Sequence, residues 1–161
     1  DLLVQEYGKT YNLKTVSLRG GCLTGGNHNG AKAHGFLSYL VKSIIESKNY
    51  IIEGYEGLQV RDNIHSKDVA SLIEEIRLNP GIGEVFNIGG GRDNSISVIE
   101  AIRKTERILN KKASFEISKE NRLGDHKWYI TDNSDLMKRF PNWSITKDLD
   151  FILDDIIKNS K

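Results

Sequence analysis

Gly57-Leu58-Gln59-Val60-Arg61-Asp62-Asn63-Ile64-His65-Ser66-Lys67-Asp68-Val69-Ala70 is the stretch whose reading decides the fold. It reads as a strand that carries Arg61 and Asp62 at its end and runs into a helix starting at Ser66. An arginine beside backbone groups at a strand-to-helix junction suits a phosphate or diphosphate, because its planar fork bonds two oxygens at once. An isolated Arg-Asp pair is more often a surface ion pair, so the reading depends on the segments around it.

Working outward, Asp1 to Tyr11 has apolar residues at 3, 4, 7 and 11, a helical spacing. It carries no initiating Met and no capping residue ahead of it, so a piece of a longer chain is expected. Thr15-Val16-Ser17-Leu18-Arg19 follows as a β-branched strand, and helix-then-strand is the return leg of an α/β unit. Residues 20–32, rich in Gly, Asn and His, are expected to form a loop. Gly35 to Glu46 is an amphipathic helix, and Tyr50 to Val60 reads as two strands with a hairpin turn at Glu56-Gly57. Ser66 to Leu78 is a helix ended by Asn79-Pro80-Gly81, and Glu84 to Ile88 is a buried strand leading into Gly89-Gly90-Gly91. Ser97 with Glu100 three residues on is a capping box for a helix through Leu109. A strand over Ala113 to Ile117, a short helix over Ser134 to Phe140 and a last helix over Thr146 to Lys158 complete the chain. Met137, Trp128, Trp143 and Phe151 are expected in the core.

The chain has 161 residues, with 23 basic against 22 acidic side chains and a formal charge of +1. That is one domain's worth of chain, long enough to bury a core. The charge balance and the lack of clustered Lys and Arg argue against nucleic acid as a partner. No apolar run approaches the length of a membrane span. The single Cys22 fits a reducing compartment, and a cytoplasmic location is expected. His28, His34, His65 and His126 fall on separate elements, without ligand spacing, so no metal site is expected.

Arg19 to His28 stands at the carboxyl end of a strand, where open α/β sheets bind ligands. Gly89-Gly90-Gly91 lacks the Lys-Ser/Thr of a Walker loop and the spacing of a dinucleotide fingerprint. It is read as tight packing beside the cleft, with Asn87 closing a hydrogen-bond network. Asn121 to His126 places a second arginine near an aspartate. Arg61 and Arg122 together would clamp a diphosphate, with Asp62 and Asp125 orienting them. His34 at a helix start would donate to an oxyanion.

The ordered set Arg19…Gly25, Gln59-x-Arg61-Asp62-x-x-His65-x-x-Asp68-Val69-Ala70, Phe86-Asn87-Ile88-Gly89-Gly90 and Arg122-x-Gly124-Asp125 resembles the C-terminal half of extended short-chain dehydrogenase/reductases. These are the NAD-dependent epimerases and dehydratases that act on nucleotide sugars. Arg19 to Gly25, the helix start His34 to Lys42 and Gly124-Asp125-His126 look most similar to the CDP-paratose (CDP-tyvelose) 2-epimerase branch. The resemblance implies an α/β fold made of the last Rossmann strands and helix plus a small α/β substrate-binding domain. Residues 1–32 would be the Rossmann remnant and 33–161 mainly the substrate domain, with strands near 58–65 and 84–90 returning to the Rossmann sheet.

It also implies NAD as cofactor and a CDP-sugar or other nucleotide sugar as substrate, in a homo-oligomer serving lipopolysaccharide O-antigen biosynthesis. Arg61, Arg122, His34, Phe36, Asn27 and Asp125 would bind substrate, and Gly21, Cys22, Leu23 and Thr24 would face the cofactor. Many 4-epimerases and 4,6-dehydratases of this family carry Asn where Cys22 stands, a departure that bears on the sugar contact. The family's Gly-rich NAD loop and its Tyr-x-x-x-Lys pair have no match here, since Tyr7 is followed by Tyr11 and Tyr11 by Thr15. No catalytic residue is therefore assigned, and the stretch by itself is expected neither to bind NAD appreciably nor to turn over a sugar nucleotide. The alternatives are a 4-epimerase, 4,6-dehydratase or reductase on a UDP- or dTDP-sugar and, from another class, a non-catalytic nucleotide-binding or interaction module.

Overall fold

In the computed structural model, which describes residues 1–28, 30–31, 35–118 and 124–160, the chain opens with helix α1 (Leu2–Tyr11). Asn12, in the left-handed region, caps it with a backbone N–H to the Gly8 carbonyl. Strand β1 (Val16–Gly20) pairs in parallel with β5 (Glu84–Ile88), Val16 opposite Glu84 and Gly20 opposite Ile88. The chain then leaves this pair, and β2 (Cys22–Thr24) joins β4 (Val60–His65) in parallel, Cys22 opposite Asn63. The expected loop over 20–32 thus contains a strand. Three residues are too short to show alternation, and the pairing is supplied by a segment distant in sequence.

Helix α2 (Phe36–Ile45) buries Leu37, Leu40, Val41 and Ile44, the face its periodicity announces. The expected hairpin at Glu56-Gly57 is not formed. Gly54, Tyr55, Glu56 and Gly57 all have positive φ, and they carry the chain away from β3 (Tyr50–Glu53) instead of folding it back. A two-residue hairpin loop needs only two such residues. β3 pairs in parallel with the distant β7 (Phe115–Ser118).

β4 is paired on both edges. Antiparallel β6 (Ser95–Ser97) takes Val60 to Asp62 on one side; β8 (Trp128–Tyr129) and then β2 take the other. Helix α3 (Ser66–Leu78) follows β4 directly, as read from the sequence. Helix α4 (Val98–Leu109) starts with the expected capping box, the Ser97 hydroxyl accepting from Glu100 N–H and the Glu100 carboxylate from Ser97 N–H. Helix α5 (Ser134–Arg139) and helix α6 (Leu149–Asn159) close the chain.

Two apolar clusters result. One joins α2, β3, β6, α4 and α6 through Leu40, Ile52, Ile102, Ile152 and Leu153; the other joins β4, α3, β5 and α5 through Ile64, Leu72, Ile88, Leu136 and Phe140. Trp143 lies in the second cluster, as expected, but Trp128 is 63% exposed, and Met137 and Phe151 are exposed too. β8 has only two residues, and its Trp128 side chain lies on the surface, outside both clusters. On α1, Leu2, Leu3, Tyr7 and Tyr11 are exposed. Among the described residues no helix is long and apolar enough to cross a membrane.

The last helix begins three residues later than expected because its leading residues are committed elsewhere. The buried Asp68 carboxylate accepts from Thr146 N–H (3.2 Å), Thr146 Oγ1 (2.6 Å) and Lys147 N–H (2.9 Å), and the Asp68 carbonyl accepts from Trp143 Nε1 (3.1 Å). Asp148 then caps α6, accepting from Phe151 N–H at 2.8 Å. Asp68→Ala removes a buried carboxylate that accepts three hydrogen bonds, and should cost about 3 kcal/mol. Urea unfolding should show the midpoint falling with the slope unchanged.

Candidate functional site

One face of β4 and the end of β2 form the floor of a cavity of about 460 Å³. Side chains of a strand alternate, so Gln59, Arg61 and Asn63 share one face, and all three line this cavity. Gly21, Cys22, Leu23 and Thr24 come in from β2 and the turn before it, Phe36, Leu37 and Tyr39 from α2, and Tyr50, Ile51 and Glu53 from β3. Thr24 and Ser38 are joined by their hydroxyls at 3.2 Å, which fixes β2 against α2.

Arg61 is held at the cavity by two acceptors. Its Nη1 donates to the Val60 carbonyl at 2.7 Å, and its Nη2 donates to the Asp125 carboxylate. Both side chains of this ion pair are mostly buried. Asp125 is held in turn through its carbonyl, which accepts from the Tyr55 hydroxyl at 3.2 Å. Among the described residues two of the five N–H donors of the guanidinium are thus engaged, leaving part of its fork for an anion.

Asp62 does not orient Arg61, contrary to expectation. Consecutive strand residues point to opposite faces, so Asp62 is buried away from the cavity. Its Oδ2 accepts from Gly91 N–H (3.0 Å) and Thr131 N–H (3.1 Å), pinning β4 to the glycine segment. That segment does pack tightly: a Cβ added at Gly90 would fall 2.0 Å from the Asn63 carbonyl oxygen. The network there is closed by Asn133 rather than the exposed Asn87, Asn133 bonding both the N–H (3.1 Å) and the carbonyl (2.9 Å) of Gly89.

His65 shapes the loop after β2. Its Nδ1 accepts from Lys67 N–H (3.1 Å), capping α3, so the ring hydrogen sits on Nε2 and is donated to Asp155 Oδ2 at 3.0 Å. The same oxygen accepts from Gly26 N–H at 2.7 Å, so α6 holds the turn that follows the cavity strand. The bond from His65 holds the Asp155 carboxyl below its usual range, burial opposes this, and the Gly26 N–H adds to it.

Burial pushes the Cys22 thiol up to about 11; the charge of Asp62 adds to the shift and that of Arg61 opposes it. At neutral pH Cys22 is therefore an uncharged thiol.

Of the residues singled out by sequence, Gly21, Cys22, Leu23, Thr24, Phe36, Arg61 and Asp125 meet in the cavity. Asn27 is exposed in the turn beyond β2 and does not line it. His34 and Arg122 lie outside the described residues. Gln59, Asn63, Tyr39 and Tyr50 were not singled out, although the period-2 pattern Gln59-x-Arg61-x-Asn63 carries the signal for two of them. Asn133 and Asp155 reach the site only through tertiary contacts, and nothing local marks them.

Residues 1–89 match the family described as NAD dependent epimerase/dehydratase. CDP-paratose 2-epimerase of Salmonella typhi is 30% identical over 121 residues, 68% of this chain and 34% of that protein. UDP-glucuronic acid 4-epimerase from Bacillus cereus, solved with UDP-glucuronic acid and NAD, superposes with a TM-score of 0.82 at 26% identity, covering 99% of this chain and 49% of that one. UDP-glucose 4-epimerase from Thermotoga maritima, solved with UDP-glucose, superposes with a TM-score of 0.83 at 22% identity, covering 98% and 49%. The chain thus spans about a third of its curated relative and about half of each solved structure.

Two outcomes test the site. Alkylation of Cys22 by iodoacetamide at pH 8 should run on the order of 100-fold slower than that of a free cysteine, as the thiolate fraction dictates. The depressed Asp155 carboxyl contributes stability above the ordinary carboxylate pKa of about 3.9 that is lost as pH falls below it. Between about pH 5 and 2 the parent should therefore lose stability more steeply than Asp155→Asn in denaturant titrations.

Proposed function

The chain belongs to the NAD dependent epimerase/dehydratase family, and from that premise we propose that it forms the substrate-holding half of a nucleotide-sugar epimerase of the CDP-paratose 2-epimerase type. The observation that carries the reading is the meeting of Arg61, Asp125, Phe36 and the Gly21–Thr24 segment in one cavity. Arg61 holds the diphosphate, supported by Asp125, and Arg122 joins it as the second arm of the clamp. Phe36 and His34 serve the nucleotide. The similarity to CDP-paratose 2-epimerase supports the base and the reaction type.

Gly21, Cys22, Leu23 and Thr24 would hold the nicotinamide end of NAD. The chemistry NAD supplies when bound is removal of a hydride from a sugar carbon and its return to the opposite face. This chain's part is to fix the sugar in register with that chemistry. In domain terms, α1, β1 and the segment to residue 32 belong to the cofactor half, and 33–161 mainly to the substrate half. The exposed Leu3, Tyr7 and Tyr11 on α1 are covered in a homo-oligomer of the whole protein. A cytoplasmic enzyme supplying lipopolysaccharide O-antigen sugars is the setting this reading implies.

A second reading, a 4-epimerase or 4,6-dehydratase on a UDP- or dTDP-sugar, is favoured by the 26% identity to UDP-glucuronic acid 4-epimerase across nearly the whole chain. Turnover of a panel of CDP-, UDP- and dTDP-sugars by the full-length protein separates the two. CDP-sugars should give the highest kcat/KM, and preference for a UDP- or dTDP-sugar moves the assignment to the second reading. Charge-assisted bonds to phosphate are worth about 1.5–3 kcal/mol, so Arg61→Ala should raise KM roughly 10- to 100-fold. Arg61→Lys should rescue this only partly, because a point charge does not reproduce the fork. Unchanged binding in Arg61→Ala would remove the clamp.

A further inference from the structure

Asn63 is a fully buried polar residue in the cavity wall, and its amide is used on one side only. Its Nδ2 donates to the Arg61 carbonyl at 3.2 Å and to the Asn94 carbonyl at 3.5 Å. These two carbonyls fix the orientation of the amide, since the opposite one would set oxygen against oxygen. Oδ1 is left buried and, among the described residues, without a donor. A buried acceptor with no donor is destabilising, and such groups in native proteins mark ordered waters, bound ions or functional sites.

The position of Asn63 says which part of a ligand would supply the donor. Asn63 stands two residues beyond Arg61 on the same face of β4, roughly 7 Å along the strand. Its cross-strand neighbour is Cys22, whose thiol stays protonated and uncharged. The diphosphate end of the cavity is therefore at Arg61, and Asn63 lies further along β4, opposite the first residue of β2. A sugar linked to a diphosphate held at Arg61 reaches that point, and sugars carry hydroxyl donors. Oδ1 is covered in the free protein, so a ligand hydroxyl reaches it once the side chains over it move aside.

We propose that Asn63 is a specificity-determining residue whose side-chain carbonyl accepts a hydrogen bond from one hydroxyl of the bound sugar, beside its cross-strand neighbour Cys22. The proposal deepens the nucleotide-sugar reading and rests on it.

Calorimetry on the full-length protein tests it, with CDP, CDP-glucose and the CDP-glucose derivatives lacking one sugar hydroxyl each, and with the UDP counterparts in parallel. In the parent, removal of one particular hydroxyl should weaken binding about 10-fold. Asn63→Ala should bind CDP-glucose about 10-fold more weakly while CDP stays within about 2-fold, and should no longer distinguish that deoxy derivative from CDP-glucose. A merely structural role would weaken CDP and CDP-glucose alike. Equal weakening of the two, or persistence of the hydroxyl preference in Asn63→Ala, overturns the proposal. If the variant does not fold, the parent decides alone, and indifference to every sugar hydroxyl overturns it. If the parent binds no nucleotide or nucleotide sugar at all, the underlying functional reading fails, and the proposal with it.

Discussion

β4 has its backbone hydrogen-bonding groups taken on both edges, and the rest of the structure depends on that. With β6 on one side and β8 and β2 on the other, the strand can neither slip nor twist freely. A shift of one residue would exchange its two faces. Asp62 and Ile64 would then point at the cavity, and Arg61 and Asn63 would be driven into the packed side. The register is fixed from behind as well, by the Asp62 carboxylate on Gly91 and Thr131 and by the close approach of Gly90 to the Asn63 carbonyl. No side chain larger than hydrogen fits at Gly90 without moving backbone.

A second set of ties keeps the end of β4 in place relative to the rest. His65 caps α3 with one ring nitrogen and bonds α6 with the other, through an oxygen that also holds Gly26. Asp68, one turn later, binds the segment entering α6. The last helix therefore acts on the cavity without touching it: it holds the turn after β2 from one side and the start of α3 from the other. Each tie is a single hydrogen-bonded group with little redundancy, so small changes far from the cavity can alter its shape.

How much of this was legible in the sequence follows from what kind of signal each part carries. Helices with a strong apolar stripe or a capping box, such as α2, α3 and α4, were readable because the deciding interactions lie within a few residues. β2 and the β3–β7 pairing were not, because their partners are distant and the glycine-rich or turn-like local sequence pointed elsewhere. Arg61 and Asp125 were readable as charged residues by their family-like motifs, but their pairing with each other was not. Adjacency suggested Asp62 for Arg61 and Asp125 for Arg122; strand alternation forbids the first, and the second involves a residue outside the description. Exposed Trp128 shows the same limit, since a large aromatic side chain announces burial only when something is placed over it.

The distribution of charge in the cavity is the last consequence of the alternation. Arg61 and Asp125 place a matched pair of opposite charges at one point of the floor, and Glu53 adds a carboxylate on the β3 side. Along β2 the wall is made of Gly21, Cys22, Leu23, Thr24 and Asn63, none of which is charged at neutral pH. On the proposed reading a diphosphate would take the first region, because an anion leaving water must recover its hydration from fixed donors. On the same reading the sugar would take the second, because a stray charge beside a carbon losing hydride would favour one state of the reaction over the other. A strand that repeats every two residues supplies both regions from one face: Arg61 anchors and, two residues on, Asn63 is polar but neutral. Under the proposed function, that single step would let binding strength be set at the phosphate while the sugar end is left free of the charges that provide it.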